Sequence, residues 1–308
     1  MQNSWPIALR LFLASLLIFL PVTSPAGTVI LKKAFVEQYK NRATIDIHFT
    51  IDHAHKQPNP IGNDGQDGDL HSSGRSPNEV SLPMVTEVVN AASQKPAVDF
   101  IHQKEGTNQP VAFSGAWRLW FEHPAATQQI QGQPVPVPAN TNPDHVFELH
   151  PVTQVQTNSV LSSFVPIPAF QAYDAQTAFG SYEKLKVTLQ ASQSAVQMNA
   201  AKAGYNYAEF VIELQGPPQQ AQDGLFALAT VLDTGGHTVV SQLRRMVFVK
   251  GTGPAARVQG LKKGDRLHVL GIPRVNLERI SFLVASNGQT QVTTSLPYEM
   301  IIVGVFPK

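Results

Sequence analysis

Short stretches in which apolar and polar residues alternate constrain the fold of this chain more than any other feature. In residues 44–51, TIDIHFTI, the apolar residues Ile45, Ile47, Phe49 and Ile51 are separated by polar ones. Side chains of a β-strand alternate between two faces, so this pattern predicts a half-buried strand. Similar stretches recur along the chain between Gly, Pro, Asn and Asp turns, a spacing typical of small barrels and sandwiches. We therefore predict an all-β fold.

The strand-like stretches fall into two parts that differ in charge. Residues 27–155 contain 9 Lys and Arg against 13 Asp and Glu, whereas residues 156–308 contain 13 against 9. Between them, residues 156–185 hold Pro166 and Pro168 and a helical stretch around residues 169–185. We predict two small OB-like β-barrel domains, over residues 27–155 and 186–308, joined by a partly helical connector over residues 156–185.

Residues 1–26 have the features of a secretory signal peptide. Arg10 precedes ten apolar residues, LFLASLLIFL, after which Pro21 breaks the run and Ser24-Pro25-Ala26 supplies small residues for cleavage. Ten residues are too few for a membrane span, which needs about 20, although an uncleaved anchor is the alternative. We expect an exported protein, periplasmic or extracellular, without an integral membrane segment in its mature chain.

The chain contains no cysteine. This excludes a thiol nucleophile, a zinc site with Cys ligands and iron–sulfur chemistry. The fold must therefore depend on its apolar cores rather than on disulfides.

The stretch DGQDGDLH at residues 64–71 combines acidic residues, two glycines and a histidine. An EF-hand loop counted from Asp64 would need Glu at its twelfth position, where Arg75 stands. A looser calcium turn through Asp64, Asp67 and Asp69 is one alternative. We expect instead that Gly68 makes a turn, that Asp69 caps it, and that His71 enters a strand on the same face as Asp69.

A second carboxylate–imidazole pair lies in FELHPV, residues 147–152. Glu148 and His150 are two residues apart and so share one face of a strand. If this strand lies near DGDLH, the pair joins Asp69 and His71. Two imidazoles and a carboxylate can hold a divalent metal ion, which makes His71, His150 and Asp69 candidate metal ligands, but we favour a purely structural hydrogen-bonded network over this alternative.

Aromatic and charged residues alternate in WRLWFEH, residues 117–123. Arg118, Trp120 and Glu122 share one face, and Trp120 there is either a stacking platform for a sugar or a base or part of a solvated Arg–Glu pair packed on Trp. The candidate ligand-binding residues are Asp69, His71, Arg118, Trp120, Glu148 and His150.

Residues 244–274 hold eight Lys and Arg against one acid, Asp265. Such a basic stripe would suit an anionic polymer, because phosphate contacts dominate nucleic-acid affinity. Anionic glycans, lipid head groups and the acidic first half of the chain are rival partners, and a solvated turn at Lys262-Lys263-Gly264 is the simplest explanation. The candidate stripe residues are Arg244, Arg245, Lys250, Lys262, Lys263 and Arg266.

Four pieces of the first half carry a resemblance to a family. They are DGDLH (67–71), PMVTEVVNA (83–91), SGAWRLW (114–120) and FELHPV (147–152). In this order they resemble a small family of bacterial secreted proteins without a settled functional name. The resemblance covers roughly 100 residues and implies one OB-like five-stranded barrel, here with longer loops at residues 52–65 and 128–143.

The second half is similar to the OB-fold of bacterial single-strand DNA-binding proteins. The similarity lies in residues 244–275, RRMVFVKGTGPAARVQGLKKGDRLHVLGIPRV, followed by the late strand YEMIIVGV at residues 298–305. The resemblance implies a second barrel and carries fold more safely than function.

These features favour binding over catalysis. No G-x-S-x-G, P-loop, G-x-G-x-x-G or H-E-x-x-H motif occurs. We expect an exported, non-catalytic protein that binds an extracytoplasmic ligand (a glycan, an anionic polymer or a protein partner) and has no cofactor unless a divalent metal ion binds. Two alternatives remain: a metal-dependent hydrolase with Glu87 or Glu148 as general base, and single-stranded nucleic-acid binding by the second domain.

Overall fold

The structure, a computed structural model, describes residues 26–63, 66–288 and 290–307. The predicted signal peptide, apart from Ala26, and Asp64 of the alternative calcium turn lie outside these ranges. The strands in the described ranges are β1 (Ala26–Lys32), β2 (Thr44–Ala54), β3 (Leu70–Arg75), β4 (Met84–Val88), β5 (Pro110–His123), β6 (Gln129–Ile130), β7 (His145–Val155), β8 (Asn158–Ser159), β9 (Tyr173–Asp174), β10 (Lys186–Ala191), β11 (Ala195–Ala201), β12 (Ala208–Leu214), β13 (Gln219–Gln220), β14 (Gly224–Leu232), β15 (Thr238–Val249), β16 (Arg266–Val275), β17 (Val292–Ser295) and β18 (Tyr298–Val305).

The helices are short and most have a side-chain cap. Those in the described ranges are α1 (Lys33–Tyr39), α2 (Lys95–Lys104), α3 (Ala175–Tyr182), α4 (Gly253–Val258) and α5 (Leu277–Asn287), with single 3₁₀ turns at Ala91–Ser93 and Leu161–Ser163. Asp174, Thr252 and Asn276 each accept a hydrogen bond from a backbone amide in the first turn of α3, α4 and α5, which satisfies a donor that the helix leaves free. Among the described residues, no helix is both long enough and apolar enough to cross a membrane.

Two closed five-stranded β-barrels form the centre of the molecule, as the sequence predicts. The first closes in the order β2, β3, β4, β7, β5, with β4 and β7 parallel and every other pair antiparallel. The second closes in the order β12, β14, β15, β18, β16, with β15 and β18 parallel. In each barrel, the third and fifth strands counted along the chain form the parallel pair, and a helix (α2 or α4) follows the third strand. This shared connectivity is OB-like.

The alternation in residues 44–51 produces the predicted half-buried strand. Ile45, Ile47, Phe49 and Ile51 of β2 are at most 2% exposed and lie in the apolar core. The predicted connector contains α3, so the predicted partly helical link is confirmed.

A third sheet links the two halves of the chain. Its strands follow the order β17, β10, β11, β1, β6, so the first strand of the described chain pairs with β11 along its whole length. Because β1 and β11 are far apart in the sequence, no local pattern predicts their pairing. The first barrel itself therefore begins at Thr44, and β1 contributes to a sheet outside it.

Candidate site between the barrels

A row of charged side chains crosses four adjacent strands of the first barrel. The register places His71 of β3 opposite Glu87 of β4, and Arg118 of β5 opposite Glu148 of β7. His150 lies two residues beyond Glu148 and so shares its face. Because directly opposed residues lie on the same face of a sheet, local alternation and strand register together gather these five groups.

Asp69 lies directly before β3 and pairs with His71. Its Oδ2 atom is 2.9 Å from His71 Nε2, and Glu87 Oε1 is 3.5 Å from the same nitrogen. The other oxygen of Asp69 accepts a hydrogen bond of 2.8 Å from Asn59 Nδ2. The His71 ring stacks on His55, with ring centroids 5.0 Å apart.

Glu87 also reaches the second histidine. His150 Nδ1 lies 2.8 Å from Glu87 Oε2 and 3.4 Å from Glu148 Oε2. The two oxygens of the Glu87 carboxylate therefore face two different imidazoles.

Arg118 provides the permanent positive charge at this site. Its Nη1 donates to Glu148 Oε2 at 2.5 Å and its Nη2 donates to Glu122 Oε2 at 2.8 Å. Glu148 Oε1 lies 3.0 Å from His145 Nε2. Burial by itself would raise the pKa of Glu148, but Arg118 and His145 outweigh it and hold that pKa well below its usual range.

The second barrel covers this row of side chains. Tyr207, directly before β12, places its Oη atom 2.7 Å from His150 Nε2, and Arg118 Nε donates to the Pro273 carbonyl of β16 at 3.0 Å. The side chains of Arg118 and His150 are 0% exposed, whereas that of His71 is 14% exposed. The groups lie between the barrels, and we call them the inter-barrel cluster: Asp67, Asp69, His71, Glu87, Arg118, Glu122, Glu148 and His150.

The inter-barrel cluster shifts the acidity of its members. Burial, and then the adjacent Asp69 carboxylate, raises the pKa of Asp67 to about 8. Burial alone would lower the pKa of His71 and of His150. The carboxylates outweigh it in both cases: Asp69 and Glu87 raise the pKa of His71 well above its usual value, and Glu87 with Glu148 raises that of His150 to about 10.

Several buried atoms of this cluster make close contacts that are not hydrogen bonds. Asp69 Oδ2, Glu87 Oε2 and His150 Nδ1 are inaccessible to solvent, yet none has a hydrogen-bond partner of acceptable geometry. Their 2.8–2.9 Å contacts with neighbouring groups therefore lie off the hydrogen-bonding directions. Buried polar atoms usually have such a partner, so these atoms are candidates for binding a cation. Asp69, His71 and Glu87 form one set of potential ligands within 4.8 Å, and Glu87, Glu148 and His150 form another.

Five of the six residues predicted to bind a ligand are brought together. Asp69 contacts His71, Glu148 contacts His150, and Arg118 contacts Glu148. Glu87 lies between the two motifs and contacts His71 of DGDLH and His150 of FELHPV.

Trp120 is the exception. It is 0% exposed and packs edge-on against Tyr182 and Tyr298, with ring centroids 5.6 and 6.5 Å away. Both alternatives for Trp120 are therefore wrong: no sugar or base can reach the ring without opening the core, and Arg118, which is 0% exposed, is not part of a solvated Arg–Glu pair. Both faces of β5 are buried here, one of them beneath the connector and the second barrel, and alternation alone does not show that.

Three further residues of the site could not be assigned to it from the sequence. Glu87 enters there only as an alternative general base, yet it contacts both histidines. The signal that identifies it is the antiparallel register between β3 and β4. Tyr207 and His145 have no local signal, because Tyr207 comes from the other barrel and His145 from the start of β7.

The predicted basic stripe does not form a continuous basic surface. Arg245 is 9% exposed and pairs with Glu299 and Glu278, and Arg274 of the same sequence stretch is fully buried against Glu299. The acids that neutralise these cations come from α5 and β18, far along the chain from Arg245. Charge counting over a sequence window cannot detect such pairing.

The remaining stripe residues divide into paired and exposed groups. Arg244 contacts Glu183 at 2.5 Å and Arg266 contacts Glu213 at 2.6 Å. The exposed lysines are Lys250, Lys262 and Lys263. An anionic partner for this surface stays a prediction that rests on these three lysines and the exposed Arg257 rather than on eight cations.

Neither a scan against protein-family models nor a search of curated proteins finds a match to this chain.

Proposed function

We propose that this chain is a non-catalytic binding protein whose ligand is a divalent metal ion, held in the inter-barrel cluster around Glu87. The observation that carries this proposal is the convergence of buried carboxylates and imidazoles, in which Asp69 Oδ2, Glu87 Oε2 and His150 Nδ1 lack a well-directed hydrogen bond. Export to the periplasm or beyond remains part of the proposal and rests on the signal-like residues 1–26.

The donor types restrict the metal. Carboxylate oxygens and imidazole nitrogens suit Zn²⁺, Mn²⁺ and Fe²⁺, whereas Cu(I) prefers the thiolates and thioethers of soft sites. The chain has no cysteine, so thiolate ligation is excluded.

The spacing of the donors also suits an ion. Bonds of about 2.1 Å place neighbouring ligands of a tetrahedral or octahedral ion roughly 3.0–3.4 Å apart. The measured separations between His71 or His150 and their carboxylate neighbours are 2.8–3.5 Å. These separations thus lie within a few tenths of an ångström of the spacing that a bound ion requires.

Tyr207 supports the assignment of His150 as a ligand. Metal-binding histidines usually hold their second ring nitrogen in a hydrogen bond, which fixes the tautomer and the ring orientation. The Tyr207 hydroxyl lies 2.7 Å from His150 Nε2, which leaves Nδ1 directed at Glu87.

Burial favours storage or structural binding of an ion over hydrolysis. A catalytic metal keeps an open coordination position that substrate and water can reach. Glu87, Glu148 and His150 are at most 3% exposed and are covered by Tyr207 of the second barrel.

Elemental analysis of the purified, untagged protein tests the proposal. Protein loaded with Zn²⁺ or Mn²⁺ and dialysed should retain metal, and a His71→Ala/His150→Ala double variant should lose it. The control is His268→Ala, which removes a histidine that also pairs with a carboxylate, Glu209 at 2.8 Å, outside the cluster. Equal metal content in the double variant and the control, or no retained metal in the unaltered protein, would refute the proposal.

A further inference from the structure

The inter-barrel cluster contains two sets of ligand atoms that share a single residue. One set is Asp69, His71 and Glu87, and the other is Glu87, Glu148 and His150. We propose that the centre holds two divalent metal ions bridged by the Glu87 carboxylate. This proposal rests on the proposed function and specifies its site.

The positions of the histidines oppose a single shared ion. Two ligands of one ion, each bonded at about 2.1 Å, are at most about 4.2 Å apart. Among the residues that the structure describes, no set of three potential ligands within 4.8 Å includes both His71 and His150. One ion would therefore leave one histidine unused unless the strands moved.

Glu87 has the geometry of a bridge. Its Oε1 atom lies 3.5 Å from His71 Nε2, and its Oε2 atom lies 2.8 Å from His150 Nδ1. Each carboxylate oxygen thus faces one of the two ligand sets. Glu87 is 3% exposed, so its ionised form needs compensating positive charge on both sides.

The composition of the cluster suits divalent ions. Five carboxylates (Asp67, Asp69, Glu87, Glu122 and Glu148) and two imidazoles surround the one guanidinium of Arg118. Carboxylate and imidazole groups are the ligands that such ions use in proteins.

The two positions differ in their access to solvent. The His71 side chain is 14% exposed and stacks on the half-buried His55. His150 is fully buried and is held by Tyr207. We therefore expect the ion at His71 to exchange faster than the ion at His150.

Metal stoichiometry of the whole protein tests this inference. After loading with Mn²⁺ and removal of free metal, the protein should retain two ions per chain, and His71→Ala and His150→Ala should each retain one. His268→Ala should retain two, and far-ultraviolet circular dichroism reports whether each variant is folded. One ion per chain in the unaltered protein would overturn the two-ion centre and leave the proposed function intact, whereas no retained ion would overturn both.

Electron paramagnetic resonance of the unaltered protein provides a test that does not depend on the folding of any variant. Two Mn²⁺ ions bridged by one carboxylate should give an exchange-coupled spectrum. Two ions with uncoupled six-line spectra would overturn the bridging role of Glu87.

Discussion

Arg274 is the buried cation that most directly joins the two barrels, and its replacement by methionine is predicted to destabilise the protein strongly. Arg274 Nε donates to Glu299 Oε1 at 2.6 Å, and its terminal nitrogens donate to the carbonyls of Ala43, Trp117 and Arg42 at 3.0–3.2 Å. The guanidinium also lies 3.6 Å from the centroid of a Trp117 ring. Arg274 belongs to β16 of the second barrel. Of its carbonyl partners, Trp117 lies in β5 of the first barrel, and Arg42 and Ala43 lie directly before β2.

The magnitude follows from what Arg274→Met leaves behind. Burial lowers the pKa of Arg274 to about 10, so the side chain is charged at pH 7. Its removal deprives the buried Glu299 of one of two cations, and breaking a buried ion pair costs about 3–5 kcal/mol. Three carbonyls also lose a donor, at about 0.5–1.5 kcal/mol for each net hydrogen bond. Since these terms are not additive, we expect a loss of at least about 4 kcal/mol, a large part of the stability of a typical domain.

Arg266→Met is the matched control, because it makes the same substitution in the same strand. The Arg266 side chain is 54% exposed and pairs with Glu213 at the surface. Exposed ion pairs contribute about 0–1 kcal/mol. Urea unfolding at pH 7, followed by tryptophan fluorescence, measures both variants. Free energies of unfolding that agree to within about 1 kcal/mol would refute the reasoning.

Three further predictions concern the joint between the barrels and the proposed metal centre. Burial alone would raise the pKa of Asp223, but hydrogen bonds from Ala43, Arg42 and Thr44 hold it below its usual value. The ionised Asp223 therefore stabilises the folded protein above about pH 4. This stabilisation is lost as the pH falls through the lowered pKa of the folded state. The difference in unfolding free energy between the unaltered protein and Asp223→Asn should shrink as the pH drops from 5 to 2, and a constant difference would contradict this. Tyr207→Phe should weaken Zn²⁺ or Mn²⁺ binding about 10- to 100-fold, as loss of an orienting partner does at other metal sites, whereas an unchanged affinity in titration calorimetry would remove Tyr207 from the site. Zn²⁺ or Mn²⁺ at 100 times its dissociation constant should raise the free energy of unfolding by about 2.7 kcal/mol for each ion bound, and chelation should reverse the gain.

The strands could be predicted from the sequence because their signals are local, and the barrels are expected from the spacing of these strands and from the two resemblances. Alternation in residues 44–51 and 208–214 places every second residue in the core, and turn residues mark the ends. The same alternation puts Glu148 beside His150 and Asp69 beside His71. Contacts within one strand or one turn depend only on residues that are close in sequence.

Contacts between strands could not be predicted in this way. Glu87 meets His71 through a register that depends on where β3 and β4 begin, and β1 pairs with β11 across more than half of the chain. Trp120 looks like an exposed aromatic beside charged neighbours, yet both faces of β5 are buried. The face of β5 that carries Trp120 is buried by the connector and the second barrel. Alternation along a single strand cannot indicate contacts with another domain.

The two buried polar networks between the barrels differ in a way that bears on function. In the network around Arg274, two cations (Arg274 and Arg245) meet two acids (Glu299 and Glu278), so the chain neutralises that network with its own side chains. The inter-barrel cluster sets five carboxylates against one guanidinium and two histidines, and His145 contacts Glu148 at its edge. The raised pKa values of Asp67, His71 and His150 allow protons to offset part of its negative charge when no ion is bound. Imidazole and carboxylate groups give up such protons when they bind a metal ion, whereas a guanidinium offers no acceptor atom. The proposed ion therefore fits the inter-barrel cluster and not the network around Arg274.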